Sequence, residues 1–225
     1  MPTIAFVSSK GGVGKTTSAL LLALGLAERG LDVSIVDSDP NLPLKAWGDL
    51  PGRPGPVRLF HAPSFQDLPG ELRRAKTAAD WVVIDTEGGA PRMGGVAIAH
   101  ADLVITPLAA SQLDAREAIK VAQMVAEVSK REHRPIPLTC LFARTPSGVR
   151  RSFQDVRAML AAAQLPTLAT ALTDKEAFRA LFFHGGGLRG LNTRQVSGVA
   201  AARALVDAYT AEVAERMGAP LPAAE

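Results

Sequence analysis

Ile4-Ala5-Phe6-Val7, then Ser9-Lys10-Gly11-Gly12-Val13-Gly14-Lys15-Thr16-Thr17, then Ala19-Leu20-Leu21-Leu22-Ala23-Leu24, is the stretch whose reading decides the fold. An apolar run of strand length, a glycine-rich turn and an apolar run of helical length make the strand, loop and helix that a phosphate-binding loop requires. Glycines let backbone N–H groups converge on a polyphosphate with no Cβ in the way, and the helix N-terminus beyond them adds partial positive charge. In such a loop Lys15 reaches the β- and γ-phosphates, the Thr16 hydroxyl sits on Mg²⁺, and the nucleotide lies along Gly11, Gly12, Val13, Gly14, Lys15, Thr16 and Thr17.

Working outward, strand-like and helix-like segments alternate. A helix over 15–29 stops at Gly30, placed as a C′ glycine should be. The strand Val33-Ser34-Ile35-Val36 runs into Asp37-Ser38-Asp39-Pro40-Asn41, two carboxylates just past a strand's carboxyl end, where open α/β sheets bind ligands. Residues 48–56, rich in Gly and Pro, read as a surface loop, and Val57-Arg58-Leu59-Phe60 as the next strand. Ser64 and Asp67 suggest a helix start running to about Lys76. Trp81-Val82-Val83-Ile84-Asp85 is a buried strand ending in a carboxylate, the Walker B position that holds the Mg²⁺ shell. The following Thr86-Glu87-Gly88-Gly89-Ala90-Pro91 falls near the γ-phosphate, and its glycines allow rearrangement when that phosphate leaves.

The later chain repeats the pattern. Leu103 to Leu108 reads as a strand, 112–131 as a helix capped by Ser111 and Asp114, and Pro137 to Phe142 as a strand. A helix over 149–163 follows, carrying Arg150, Arg151 and Arg157. Thr167-Leu168-Ala169-Thr170 reads as the last short strand, and Thr173 with Glu176 as a capping box for a helix near 174–183. His184-Gly185-Gly186-Gly187-Leu188 has no strand before it and no Gly-Lys-Thr after it, so it reads as a turn or hinge. The last helix is expected over 194–217, with a flexible Pro- and Ala-rich tail at 218–225. The prediction is one α/β domain over 1–217, a doubly wound and mostly parallel sheet with helices on both faces.

Composition agrees. The 225 residues suffice for one large α/β domain, and 47% hydrophobic with only 5% aromatic content suits Ala-, Leu- and Val-rich helices on a buried parallel sheet. A single cysteine, Cys140, excludes an internal disulfide; lying in an apolar run, it reads as core. No apolar run approaches a membrane span, so a cytoplasmic protein is expected. The net charge of +3 is compatible with nucleic acid but does not establish it.

The loop departs from G-x-x-x-x-G-K-[ST] in having Ser9 at the first position and a second lysine, Lys10, at its head. This K-G-G-x-G-K-T form resembles the ParA/MinD family of P-loop ATPases, in which the extra lysine reaches across a dimer interface to the partner's nucleotide. The resemblance covers most of the chain and implies Lys10, Lys15 and Asp39 as catalytic residues, Asp39 orienting the attacking water. It also implies Asp37 and Asp85, with Thr16, around the metal. The family's proline-containing stretch after the Walker B aspartate is replaced here by Glu87-Gly88-Gly89, which leaves the switch open. Nitrogenase iron proteins need two cysteines, tyrosine-kinase relatives a tyrosine cluster, and MinD proper a basic amphipathic C-terminal helix; the sequence offers none of these. A short ParA-type ATPase is the implied class, working with ATP and Mg²⁺ as a nucleoid-associated homodimer on non-specific DNA. A small adaptor or centromere-binding partner would stimulate hydrolysis, and the cargo would be a plasmid, a chromosome origin, a microcompartment or a protein cluster. Basic residues late in the chain, Lys175, Arg179, Arg189, Arg194 and Arg203, are the implied DNA contacts, the alternative being that the arginines are a solvated helix face or pair with Asp207 and Glu212. A metabolic P-loop synthetase that activates a small molecule is the alternative class, and Lys10 argues against it.

Overall fold

Parallel strands need long crossovers, and helices of this chain supply them. The computed structural model describes residues 1–145 and 150–222. In chain order they form β1 (Thr3–Phe6), α1 (Lys15–Ala27), β2 (Val33–Ser38), α2 (Pro43–Gly48), β3 (Val57–His61), α3 (Leu68–Thr77), β4 (Trp81–Thr86), α4 (Pro91–His100), β5 (Leu103–Leu108), α5 (Gln112–Arg131), β6 (Leu138–Thr145), α6 (Arg150–Ala162), β7 (Leu172–Thr173), α7 (Glu176–His184) and α8 (Val199–Arg216). The strands form one sheet in the order β3-β2-β4-β1-β5-β6-β7. Every pairing among the described strands is parallel.

Period-two alternation sorts each strand between two cores. Ile4, Phe6, Val33, Ile35, Val83 and Ile105 face the layer of α1, α2, α7 and α8. Ala5, Val7, Val36, Val82, Ile84 and Val104 face α3, α4 and α5. A third cluster joins Cys140 and Phe142 to Val156 and Leu160 of α6. Because both faces are covered, the strands read as continuous apolar runs. Cys140 is fully buried, as its setting implied, and burial pushes its thiol up to about 12. Helix α1 is apolar nearly all round because it lies between the sheet and α8, with Leu20, Leu21, Leu22 and Leu26 wholly buried.

β1 lies between β4 and β5 at the centre of the sheet, and the order of the chain reverses there, the place where open α/β sheets open a crevice. In register, Phe6 is level with Asp85 and Asp85 with Asp37. Residues level in a parallel sheet share a face, so both carboxylates lie on the α1 side, beside the loop that leaves β1.

Several expectations need correction. Helices α2 and α4 were not anticipated. The short strand is Leu172–Thr173, with only an isolated bridge from Thr167 to Cys140. Helix α3 begins at Leu68, after the Ser64–Asp67 side-chain pair. Helix α7 begins at Glu176 with Lys175 at its N-cap and no side-chain cap, so the Thr173–Glu176 box is not formed. Helix α8 begins at Val199 rather than 194, because Gly198 at φ 70° turns the chain into it. Position 149 of the expected 149–163 helix lies outside the described residues. The glycine turn after α7 is packed: a Cβ on Gly185 would come within 2.6 Å of Leu50 and Pro51, and the Trp47 indole N–H donates to the Gly186 carbonyl at 3.2 Å. Within 218–225, Ala219 and Leu221 pack on the core and the Pro222 carbonyl accepts from Arg29 at 3.0 Å.

Candidate functional site

Gly12 at φ 75° and Gly14 at φ 96° take the left-handed conformations that bend the loop from β1 into α1, and Gly14 is the N-cap of that helix. Lys15 is buried at 6% exposure, its ammonium donating to the Ser8 hydroxyl at 3.0 Å and the Lys10 carbonyl at 3.4 Å. Burial pushes this ammonium below the usual lysine range, opposed by Asp85, Asp39 and Glu87. A lysine held out of water in this way, at the mouth of a cleft, marks a site built for an anion.

Asp85, wholly buried at the end of β4, has neither carboxylate oxygen hydrogen-bonded. Burial, with Asp37 and Asp39 nearby, pushes its carboxyl up to about 7, against the pull of Thr16 and Lys15. The Thr16 hydroxyl is close enough to favour the anion without reaching hydrogen-bond geometry. An orphaned buried carboxylate facing a threonine hydroxyl is a donor set that fits Mg²⁺ with its waters. Bound there with ATP, Mg²⁺ would neutralise phosphate charge; Thr16 and Asp85 would hold it.

Asp37 is committed differently. Its Oδ2 accepts the backbone N–H groups of Leu44 at 2.9 Å and Lys45 at 3.1 Å, and its Oδ1 that of Asp39 at 3.3 Å. It therefore anchors the first turn of α2 to the carboxyl end of β2. Burial raises its carboxyl, opposed by those same N–H groups. Asp39 accepts the backbone and side-chain N–H of Asn41 at 2.8 and 2.9 Å, a local turn that holds its carboxylate at the cavity.

The cavity, about 330 Å³, is lined by Gly11, Gly12, Gly14, Lys15, Thr16, Thr17, Ser18, Asp39 and Gly88. Lys10 and Val13 turn the other way, into a small cleft with Thr106 to Leu108 and Asp114. The Lys10 ammonium pairs with Asp114, which is itself held by the Ser111 hydroxyl and lies at the start of α5. Ser9, at the position where the common loop has glycine, donates to Glu117 one turn further on. The Glu87-Gly88-Gly89 stretch presses on the loop head: a Cβ on Gly88 would come 2.7 Å from the backbone of Lys10 and Gly11. Glu87 is half-buried and lines a neighbouring cleft with Ser8 and Ser9.

The far end of the cavity was not read from sequence. Ala143 and Arg144 of β6, Leu172 and Thr173 of β7, Asp174, and Phe178, Arg179 and Phe182 of α7 form it. An apolar wall opposite a phosphate loop is suited to a nucleobase and sugar. Arg179, implied as a DNA contact, is instead at this wall and grips Asp174 with two hydrogen bonds. Arg189 pairs with Glu28, Lys175 is half-buried, and Arg194 and Arg203 are exposed. Asp207 binds Arg29, and Glu212 accepts the N–H groups of Ala169 and Thr170 beside Arg216.

A parallel sheet with the two-lysine glycine loop after its central strand and an unpartnered buried carboxylate at the end of the adjacent strand defines a P-loop ATPase of the ParA/MinD type. The chain belongs to the VirC1 protein family, whose model matches residues 1–218. A protein named ParA from Rhizobium radiobacter is 30% identical over 196 residues, 87% of this chain and 88% of that protein. Maintenance of carboxysome distribution protein A from Halothiobacillus neapolitanus is 27% identical over 199 residues, 85% and 88% of the two chains. The solved ATP complex of an McdA variant from Cyanothece has a TM-score of 0.74 at 19% identity, covers 98% of this chain and 97% of that one, and shares the fold. Among the described residues no helix is long and apolar enough to cross a membrane.

Proposed function

We propose that this ATPase is a positioning or partition machine, cytoplasmic and nucleoid-associated. ATP brings two copies into a dimer, the dimer binds DNA without sequence preference, and hydrolysis stimulated by a small adaptor or centromere-binding partner releases it. The observation that carries this reading is the direction of Lys10. It heads the phosphate loop, yet its half-exposed ammonium lies on Asp114 outside its own cavity, which supports a role at the phosphate of a second copy. Names of relatives, ParA and a carboxysome-distribution protein, support a cargo-moving role.

In this reading Lys15 and the loop N–H groups bind the β- and γ-phosphates, Thr16 and Asp85 hold the metal, Asp37 fixes the carboxyl end of β2, and Asp39 orients the attacking water. The Lys10 of the second copy offsets charge as the γ-phosphoryl leaves. Lys10→Ala should bind ATP with near wild-type affinity by calorimetry yet stay monomeric in light scattering and hydrolyse slowly. A normal ATP dimer with full turnover in this variant removes the trans role.

A further inference from the structure

Arg144 is the one exposed residue of β6, set between buried Ala143 and Thr145. Its φ is 54°, in the left-handed region, and the register of β6 on β7 shifts between Ala143 and Thr145. It is thus the extra residue of a bulge, a device that re-aims a side chain at some cost in backbone strain. The re-aimed guanidinium crosses to the phosphate loop, where Nη1 donates to the Gly12 carbonyl at 2.8 Å. Its stem lies along Gly14: a Cβ there would come 3.4 Å from Cγ and 3.6 Å from Cδ of Arg144, and 3.2 Å from Ala143. Strained backbone, charge-assisted hydrogen bond and glycine contact converge on one side chain at the rim of the nucleotide cavity.

We infer that Arg144 is a positioning residue for nucleotide binding, a strut that holds the phosphate loop in shape before the nucleotide arrives. The inference rests on the ATP-binding reading of the cavity. A peptide unit is planar and trans, so its N–H points opposite to its C=O. Gripping the Gly12 carbonyl therefore fixes the plane of the Gly12–Val13 peptide and the direction of the Val13 N–H. With glycines at 11, 12 and 14 the free loop has wide conformational freedom, and a ligand that had to order it would bind correspondingly less tightly. The bulge places the strut on β6, outside the loop itself, and ties the loop to the wall that takes the rest of the nucleotide.

The strut acts on a part of the loop common to ATP and ADP, which separates it from a γ-phosphate contact. Arg144→Gly is the informative variant, because glycine takes φ 54° without strain and the fold should be retained. Calorimetry with Mg-ATP and Mg-ADP should show both dissociation constants weakened by the same factor, about tenfold. Arg144→Lys, which keeps a cationic donor without the planar fork, should fall between the two. In steady-state hydrolysis the loss in kcat/KM should be carried by KM, and the melting temperature of the glycine variant should not fall. Wild-type affinities in Arg144→Gly, weakening of ATP alone, a drop in kcat at unchanged KM, or a fall in melting temperature that accounts for the loss would each overturn the strut. A wild-type protein that binds neither nucleotide overturns the ATPase reading with it, whereas a binding-competent wild type matched by Arg144→Gly overturns the strut alone.

Discussion

Lys15 and Asp39 lie at one cavity and, in the proposed mechanism, do separable work. Lys15 is the buried ammonium at the phosphate loop, so in that mechanism its loss removes ground-state attraction to both phosphates, and Asp39 acts on the water beyond the γ-phosphate. Lys15→Ala should lose ATP affinity by about a hundredfold or more, whereas Asp39→Ala should bind ATP normally with kcat reduced by about a hundredfold. Calorimetry and phosphate-release assays on the two variants check this, and equal effects on binding would merge the roles. Asp85 adds a pH signature. Its carboxyl titrates at the ordinary aspartate value of 3.8 when unfolded and at about 7 when folded. Below pH 3.8 both states hold the proton. Between 3.8 and 7 the folded state keeps a proton that the unfolded state has released, so stability falls as pH rises through that window and levels off above it. Asp37, also raised by burial, contributes with the same sign. Metal-free protein should therefore melt higher at about pH 5.5 than at about pH 7.5, and Asp85→Asn should flatten that slope. Parallel melting curves for the wild type and this variant would refute the assignment of the slope to Asp85.

Among the elements, the α1–α8 contact makes a prediction that runs against helix propensity. Gly25 lies inside α1, where alanine would ordinarily gain about 1 kcal/mol. Here a Cβ would collide with the Thr210 hydroxyl and come within 3.1 Å of a Val206 methyl. Gly25→Ala should destabilise the protein by about 1–3 kcal/mol in urea denaturation, and Thr210→Ala should recover part of that in the double variant. Strictly additive changes would show that α8 does not press on this position. The same contact shows what sequence could and could not reveal. The phosphate loop, Asp85 and the ends of β1, β2 and β4 were legible because chemistry demands particular residue types at fixed places on a strand-loop-helix pattern. Helix α4 was not, since it starts without a side-chain cap and holds Gly94-Gly95 inside it; a Cβ on Gly94 would lie 3.3 Å from Val7 and 3.5 Å from Met124. Helix α2 has only six residues, and the carboxylate that starts it, Asp37, comes from β2. The nucleoside end of the cavity was illegible for a similar reason: Arg144, Leu172 and Phe178 come from three elements, and only the packed sheet brings them to the loop.

At the scale of the whole molecule, the arginines late in the chain divide into two groups. Arg179 and Arg189 already have carboxylate partners in Asp174 and Glu28, and Arg179 lines the nucleotide cavity. Arg194, before α8, and Arg203, on it, are exposed and remain for a polyanion. In the proposed ATP dimer this pair is doubled, which makes DNA affinity follow the nucleotide even though the net charge of one chain is only +3. Arg194→Glu with Arg203→Glu should weaken binding to any duplex sequence about equally, and should lower the slope of log affinity against log salt by roughly one for each arginine–phosphate pair removed. Arg179→Ala should instead weaken nucleotide binding and affect DNA only through the dimer. Gel shifts with random duplex at several salt concentrations, in ATP and in ADP, separate these effects. Equal binding in ADP, or an unchanged salt slope in the double charge reversal, would remove α8 and the segment before it from the DNA surface.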